Sequence, residues 1–212
     1  MDAEVFRAWI VSATEVIEAN RDHLTQLDAA IGDADHGINL ARGFTAVLGA
    51  LDAAPAKSGT PGAILTLTGN TLISKVGGAS GPLYGTAFRR AGKSLGDAAD
   101  VDLRALSAAL DAALAGVQQL GAAREGDKTM VDALAPATRA FSQAIAAGAS
   151  EDDALESLVD AAQAGAVATI PLQALKGRAS YLGPRSVGHE DPGAVSTALI
   201  LGALRDVARV RR

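Results

Sequence analysis

Leu27-Asp28-Ala29-Ala30-Ile31-Gly32-Asp33-Ala34-Asp35-His36-Gly37 separates two stretches of helical periodicity with three carboxylates, two glycines and a histidine. Successive helical residues advance by about 100°, so on an unbroken helix Asp33 and Asp35 would point about 200° apart and could not share one centre. The chain must leave helical geometry here, and Gly32 and Gly37 are the residues expected to permit it. No Lys or Arg lies between Asp22 and Arg42 to offset the charge, and gathered carboxylates repel unless a cation joins them. Oxygen donors with no cysteine and little imidazole suit a hard cation such as Mg²⁺, Mn²⁺ or Ca²⁺. Caps and turns explain isolated Asp and Gly residues, but not three unneutralised aspartates between positions 28 and 35. An EF-hand is excluded, because no Asp-x-Asp-x-Asp-Gly run with a Glu at its twelfth position follows. Mg²⁺ commonly takes one or two protein carboxylates and completes its octahedron with phosphate oxygens and water, so a phosphorylated ligand is expected nearby.

On either side of this loop, apolar residues recur at spacings of three and four in eight stretches. The first covers residues 2–27, with an uneven stripe from Val5 through Trp9 and Ile17 to Leu24, and the second residues 37–51. Thr60-Pro61 and Pro82 open the third and fourth as cap and first-turn signals. Asp100 or Asp102 opens the fifth, and the sixth, over 128–147, contains Pro136, which predicts a bend or restart. Ser150-Glu151-Asp152-Asp153 resembles a capping box for the seventh, and Asp191-Pro192 begins the eighth. No stretch alternates with period two. Of the 212 residues 49% are hydrophobic but only 3% aromatic, which predicts small aliphatic side chains between closely packed helices. The reading is an all-α single domain over residues 1–212, arranged as an up-and-down antiparallel bundle or a closed ring.

Composition excludes several functions. A net charge of −5 argues against a nucleic-acid surface, and the basic run over 205–212 suits the dipole of the last helix. There are no cysteines for disulfides or thiolate metal sites. Neither a signal peptide nor a membrane-length apolar run is present, so no membrane partner and a cytoplasmic location are expected.

In an up-and-down ring, alternate loops emerge at the same end. The aspartate loop, Gly77-Gly78-Ala79-Ser80-Gly81-Pro82, the junction from Gly121 through Gly126-Asp127-Lys128-Thr129-Met130, and the stretch ending His189-Glu190-Asp191-Pro192-Gly193 are all odd-to-even junctions. The opposite turns, over 52–59, 94–101 and 148–150, look like ordinary polar connections. The second junction precedes a helix N-terminus, where free N–H groups and the positive dipole end attract phosphate. The long segment 170–190 carries Lys176, Arg178, Ser180, Tyr181 and Arg185, and suits a mobile lid over phosphates. Walker A is absent, since Ala87 stands where a glycine would have to precede Gly92-Lys93-Ser94.

These motifs, with Lys176-Gly177-Arg178-Ala179-Ser180-Tyr181 and Gly188-His189-Glu190-Asp191-Pro192-Gly193-Ala194, resemble the L-subunit family of dihydroxyacetone kinases over essentially the whole chain. The resemblance implies a barrel of eight antiparallel helices with ADP or ATP at one rim. It places two Mg²⁺ ions on Asp28, Asp33 and Asp35. It also implies nucleotide contacts from His36, Gly37, Ile38, Asn39, Ala79, Ser80, Gly121, Met130, Arg178, Asp191, Pro192 and Gly193. No residue of this chain is implied as a catalytic nucleophile. A separate chain of this length resembles the phosphotransferase-dependent branch of the family. There a phosphohistidine-carrying M-type subunit recharges bound ADP, and the γ-phosphoryl group passes to dihydroxyacetone held on a K subunit. A homodimer is also compatible with the resemblance. Two alternatives stay open: an ATP-dependent subunit with exchangeable nucleotide acting on another short ketose or polyol, and a nucleotide-state sensor that binds a transcription regulator.

Overall fold

The structure, a computed structural model, describes residues 1–54 and 59–210. Most of the turn expected over 52–59 and the end of the basic run over 205–212 lie outside the described residues. All regular elements described are helical: α1 (Ala3–Ala19), α2 (Arg21–Ile31), α3 (His36–Ala53), α4 (Pro61–Lys75), α5 (Ser80–Leu95), α6 (Leu103–Gly121), α7 (Val131–Ala146), α8 (Glu151–Ala168), a 3₁₀ segment (Arg178–Ser186) and α9 (Pro192–Val210). Among the described residues no helix is long and apolar enough to cross a membrane.

The polar residues read as helix starts act as caps. The side chains of Thr60, Asp102 and Ser150 accept hydrogen bonds from first-turn N–H groups of α4, α6 and α8, and Asp2, not read as a cap, does the same for α1. Three expectations need correction. The first helix is two, because Asn20 donates from its side-chain amide to the Val16 carbonyl at 2.8 Å and competes with the helical ladder. Helix α5 starts at Ser80, two residues ahead of Pro82. Pro136 does not restart α7, which runs unbroken through it and begins at Val131 rather than near Lys128.

The carbonyl that the proline leaves unpaired faces the neighbouring helix. Pro136 cannot donate to the carbonyl of Asp132, and Gly165 of α8 packs over that oxygen so closely that an added Cβ would lie 2.1 Å from it. Gly165→Ala therefore forces α7 and α8 apart. We expect a loss of about 1–3 kcal/mol or more in chemical denaturation, the usual cost of overpacking; unchanged stability would mean that this contact is not tight.

Each helix packs on its sequence neighbour from α3 to α9, α9 packs on α1, and α1 and α2 pack on α3, so the order of partners returns to its start. Four of the seven aromatics meet in one cluster, where Phe44 packs on Phe88 at 6.1 Å and Trp9 packs on Phe6 and Phe88 with ring centroids 5.9 and 5.7 Å away. Its indole N–H donates to the Ile200 carbonyl at 2.8 Å, tying α1 to α9. Elsewhere the core is mostly Ala, Leu, Val and Ile, with Tyr84, Met130 and Phe141 among them.

The segment over 170–190 is not a free loop. The Gly188 N–H donates to the Ile170 carbonyl at 2.8 Å across its neck. Buried Ser186 accepts from the Ala174 N–H at 2.9 Å and donates to the Gly183 carbonyl at 2.7 Å. The segment expected as a lid is a strap folded on its own hydrogen bonds.

Candidate functional site

The α2–α3, α4–α5, α6–α7 and α8–α9 junctions wall a single cavity of about 430 Å³. The alternation of loops inferred from the sequence thus holds. Of the residues singled out above, Asp28, Asp33, Asp35, His36, Ala79, Ser80, Gly121, Met130, Arg178, Asp191, Pro192 and Gly193 all line it. Gly37, Ile38 and Asn39 are not among its lining residues. Gly37 supports the packing of α3 on α2, since a Cβ there would sit 2.0 Å from the Arg21 carbonyl oxygen. Ile38 is 50% exposed. Asn39 is buried and accepts from Arg42 at 2.8 Å, with Gly77 lying over its side-chain amide.

One oxygen from each of Asp28, Asp33 and Asp35 lies within 4.8 Å of the others. The turn that brings them together has its left-handed residue at Ala34, with φ of 62°, and not at either flanking glycine as the sequence suggested. Gly32 serves instead by leaving space, because a Cβ on it would lie 2.1 Å from Asp28 Oδ1. Asp28 Oδ2 accepts from the N–H groups of Asp35 at 2.8 Å and His36 at 3.1 Å, which starts α3. The cation missing from the local sequence arrives from the strap, where Arg178 Nε lies 3.0 Å from Asp33 Oδ2. Both groups are substantially exposed, so this pair adds little stability. Three clustered carboxylates with open coordination suit hard divalent ions, and Mg²⁺ among them.

The opposite wall is stitched by hydroxyls. Buried Tyr84 donates or accepts at Ser196 (2.7 Å) and Thr197 (2.9 Å), and its hydroxyl also reaches the Gly193 carbonyl at 2.9 Å. Ser196 in turn bonds His36 Nε2 at 2.9 Å, linking α3, α5 and α9 beneath the cavity. Burial pushes the His36 imidazole down to about 4, against the pull of the Asp28 carboxylate, so the ring is neutral near pH 7. Desolvation raises the Asp191 carboxyl to about 7, with its hydrogen bond from the Ala194 N–H and the nearby Lys128 opposing and Asp132 and Asp28 assisting. The α5 N-terminus has no side-chain cap at Ala79, and Ser80 turns its hydroxyl to the Gly77 carbonyl at 3.2 Å.

Lys128 and Thr129, from the Gly126-Asp127-Lys128-Thr129-Met130 run, line the cavity as well, although that run gave them no individual role, and so does Tyr84, which sequence reading does not single out. Tyr84 lies one helical turn beyond Ser80, a spacing that places both on one face, which is a signal that could have found it. Of the cavity's lining residues Tyr181 is the most exposed large apolar side chain, at 87%; Leu120, Leu175 and Ile38 are exposed elsewhere on the surface.

Comparison with known proteins follows the same geometry. A model of the DAK2 domain matches residues 30–206. The PEP-dependent dihydroxyacetone kinase ADP-binding subunit DhaL of Escherichia coli (strain K12) is 42% identical over 201 residues, 95% of each chain. The ADP-binding subunit DhaL of PEP-dependent dihydroxyacetone kinase 1 from Listeria innocua is 41% identical over 196 residues, 92% of each. The crystal structure of the dihydroxyacetone kinase from C. freundii in complex with AMP-PNP and Mg²⁺ is similar with a TM-score of 0.67 and 31% identity. The match covers 97% of this chain and 34% of that one, so the present chain spans about a third of the C. freundii protein.

Proposed function

We propose, on the premise that this chain belongs to the DAK2 domain family, that it is the ADP-binding subunit of a phosphoenolpyruvate-dependent dihydroxyacetone kinase. The observation that carries the proposal is the convergence of three carboxylates, an uncapped helix N-terminus and a strap arginine on one cavity. The near full-length match to separate ADP-binding subunits supports the same reading.

In this account Asp28, Asp33 and Asp35 hold two Mg²⁺ ions, which neutralise phosphate charge when bound. ADP, recharged to ATP in place, supplies the γ-phosphoryl group for dihydroxyacetone on a separate K subunit. The chain's own residues position and do not react. Ser80 and the first-turn N–H groups of α5 donate to phosphate oxygens. Arg178, already beside Asp33, turns its guanidinium to the same phosphates. His36 remains neutral and adds no competing charge. Met130 and Gly121 form the apolar part of the wall, and Asp191, Pro192 and Gly193 close it, while Ile38 and Asn39 flank the phosphate side.

The exposed Tyr181 on the strap that lines the cavity suits transient docking of the K subunit and, in alternation, of an M-type phosphohistidine carrier. Such partners are soluble phosphotransfer proteins, which makes the cytoplasm the setting. The test is direct. Protein purified without added nucleotide, then denatured, should release adenine nucleotide in near-stoichiometric amount into the supernatant. Absence of nucleotide together with no measurable binding of ADP and Mg²⁺ would refute the reading.

A further inference from the structure

Lys128 is 1% exposed and among the largest fully buried side chains. Its backbone is left-handed, with φ of 61°, a conformation that costs free energy for a residue with a side chain. The conformation is held by Asp132, whose carboxylate accepts from the Gly126 and Thr129 N–H groups on either side, the latter at 2.7 Å. The ammonium so placed donates to the Thr169 carbonyl at 2.8 Å and to the His189 carbonyl. Those carbonyls bracket the strap, one at the C-terminus of α8 and the other two residues before Asp191. A second bond from the same turn, Leu175 N–H to Asp127 carbonyl at 3.0 Å, fixes the strap's near limb. The strap carries Arg178.

A buried ammonium whose direct partners are neutral carbonyls is expensive to desolvate. Burial lowers its proton affinity, with Asp191 and Asp132 acting the other way at longer range. An apolar side chain of similar length would fill the same space without that cost, so packing does not explain a lysine here. We infer that Lys128 is a positioning residue: it pins both ends of the 170–189 strap to the α6–α7 junction and so holds Arg178 and Asp191 at the cavity. The inference rests on the nucleotide-binding reading for its consequence, but not for its geometry.

The experiment compares wild-type protein with Lys128→Met and Lys128→Gln. Without nucleotide, hydrogen exchange of amides over 176–189 should accelerate about tenfold or more in Lys128→Met, with α4 and α5 amides unchanged, because opening becomes local. Lys128→Gln keeps one donor group and should fall between, which covers failure of the methionine variant to fold. Affinity for ADP and Mg²⁺ should drop about tenfold or more, and Arg178→Ala should cost less in the Lys128→Met background than in wild type, since coupled residues are non-additive. Unchanged exchange over the strap, or strictly additive losses with Arg178→Ala, would overturn the inference. If wild-type protein binds no ADP, the nucleotide reading fails and the exchange measurement alone judges the strut.

Discussion

Alanine at Asp33 or at Asp35 strips the protein of retained ADP while leaving its helices intact. Both side chains project from the turn at Ala34, outside any helix interior, and among the described residues the partner of Asp33 is the exposed Arg178. Removing either charge relieves repulsion among the three carboxylates in the metal-free protein, so thermal stability should hold or rise slightly. Binding is another matter. Changes to residues that merely support metal ligands cost about 10–100-fold in affinity, and loss of a ligand should exceed that range. Titration of ADP in the presence of Mg²⁺ should therefore show weakening beyond about 100-fold in each variant. Asp28→Ala should differ by also losing stability, because Oδ2 of Asp28 carries two backbone N–H groups at the start of α3. Wild-type affinity in both Asp33→Ala and Asp35→Ala would remove these residues from the site.

The second large effect is expected at a residue that touches no ligand. In Gly32→Ala the new methyl group would lie 2.1 Å from Asp28 Oδ1 and 2.9 Å from its Cγ, so the carboxylate must swing away. That movement breaks the hydrogen bonds to Asp35 and His36 and separates Asp28 from the other two acids. Overpacking of this kind costs about 1–3 kcal/mol of stability, read from urea midpoints. The same swing should weaken ADP and Mg²⁺ binding by about tenfold or more, as a displaced supporting group does at a metal site. Ala34→Gly should do the opposite, relaxing a left-handed backbone with no loss of binding. A Gly32→Ala protein with normal affinity would show that Asp28 need not occupy its present position.

Much of this was legible in the chain. Thr60, Asp102 and Ser150 announce helix starts by a local hydrogen bond that depends on nearest neighbours alone, and the order of junctions gave the end of the bundle at which the site lies. What stayed hidden depends on contacts between distant segments. Nothing near Asp33 in sequence reveals that Arg178 lies beside it. Lysine is almost never fully buried without a partner, and nothing within the Gly126 to Met130 run reveals that the Lys128 partners are the distant Thr169 and His189 carbonyls. Asn20 splits the first helix through a side-chain competition that leaves apolar spacing untouched. Pro136 predicts a restart by its usual rule, while the helix runs on through it and the freed Asp132 carbonyl packs against Gly165 of another helix, a contact between distant segments.

The central claim is that Asp28, Asp33 and Asp35 clamp divalent ions against the phosphates of an adenine nucleotide. Crystals grown with ADP and Mn²⁺ and measured at the manganese absorption edge test it most directly. The account predicts anomalous peaks between these three carboxylates, next to diphosphate density that faces Ser80. Nucleotide density in the cavity with no anomalous signal at the three acids, or manganese bound only elsewhere, would contradict it.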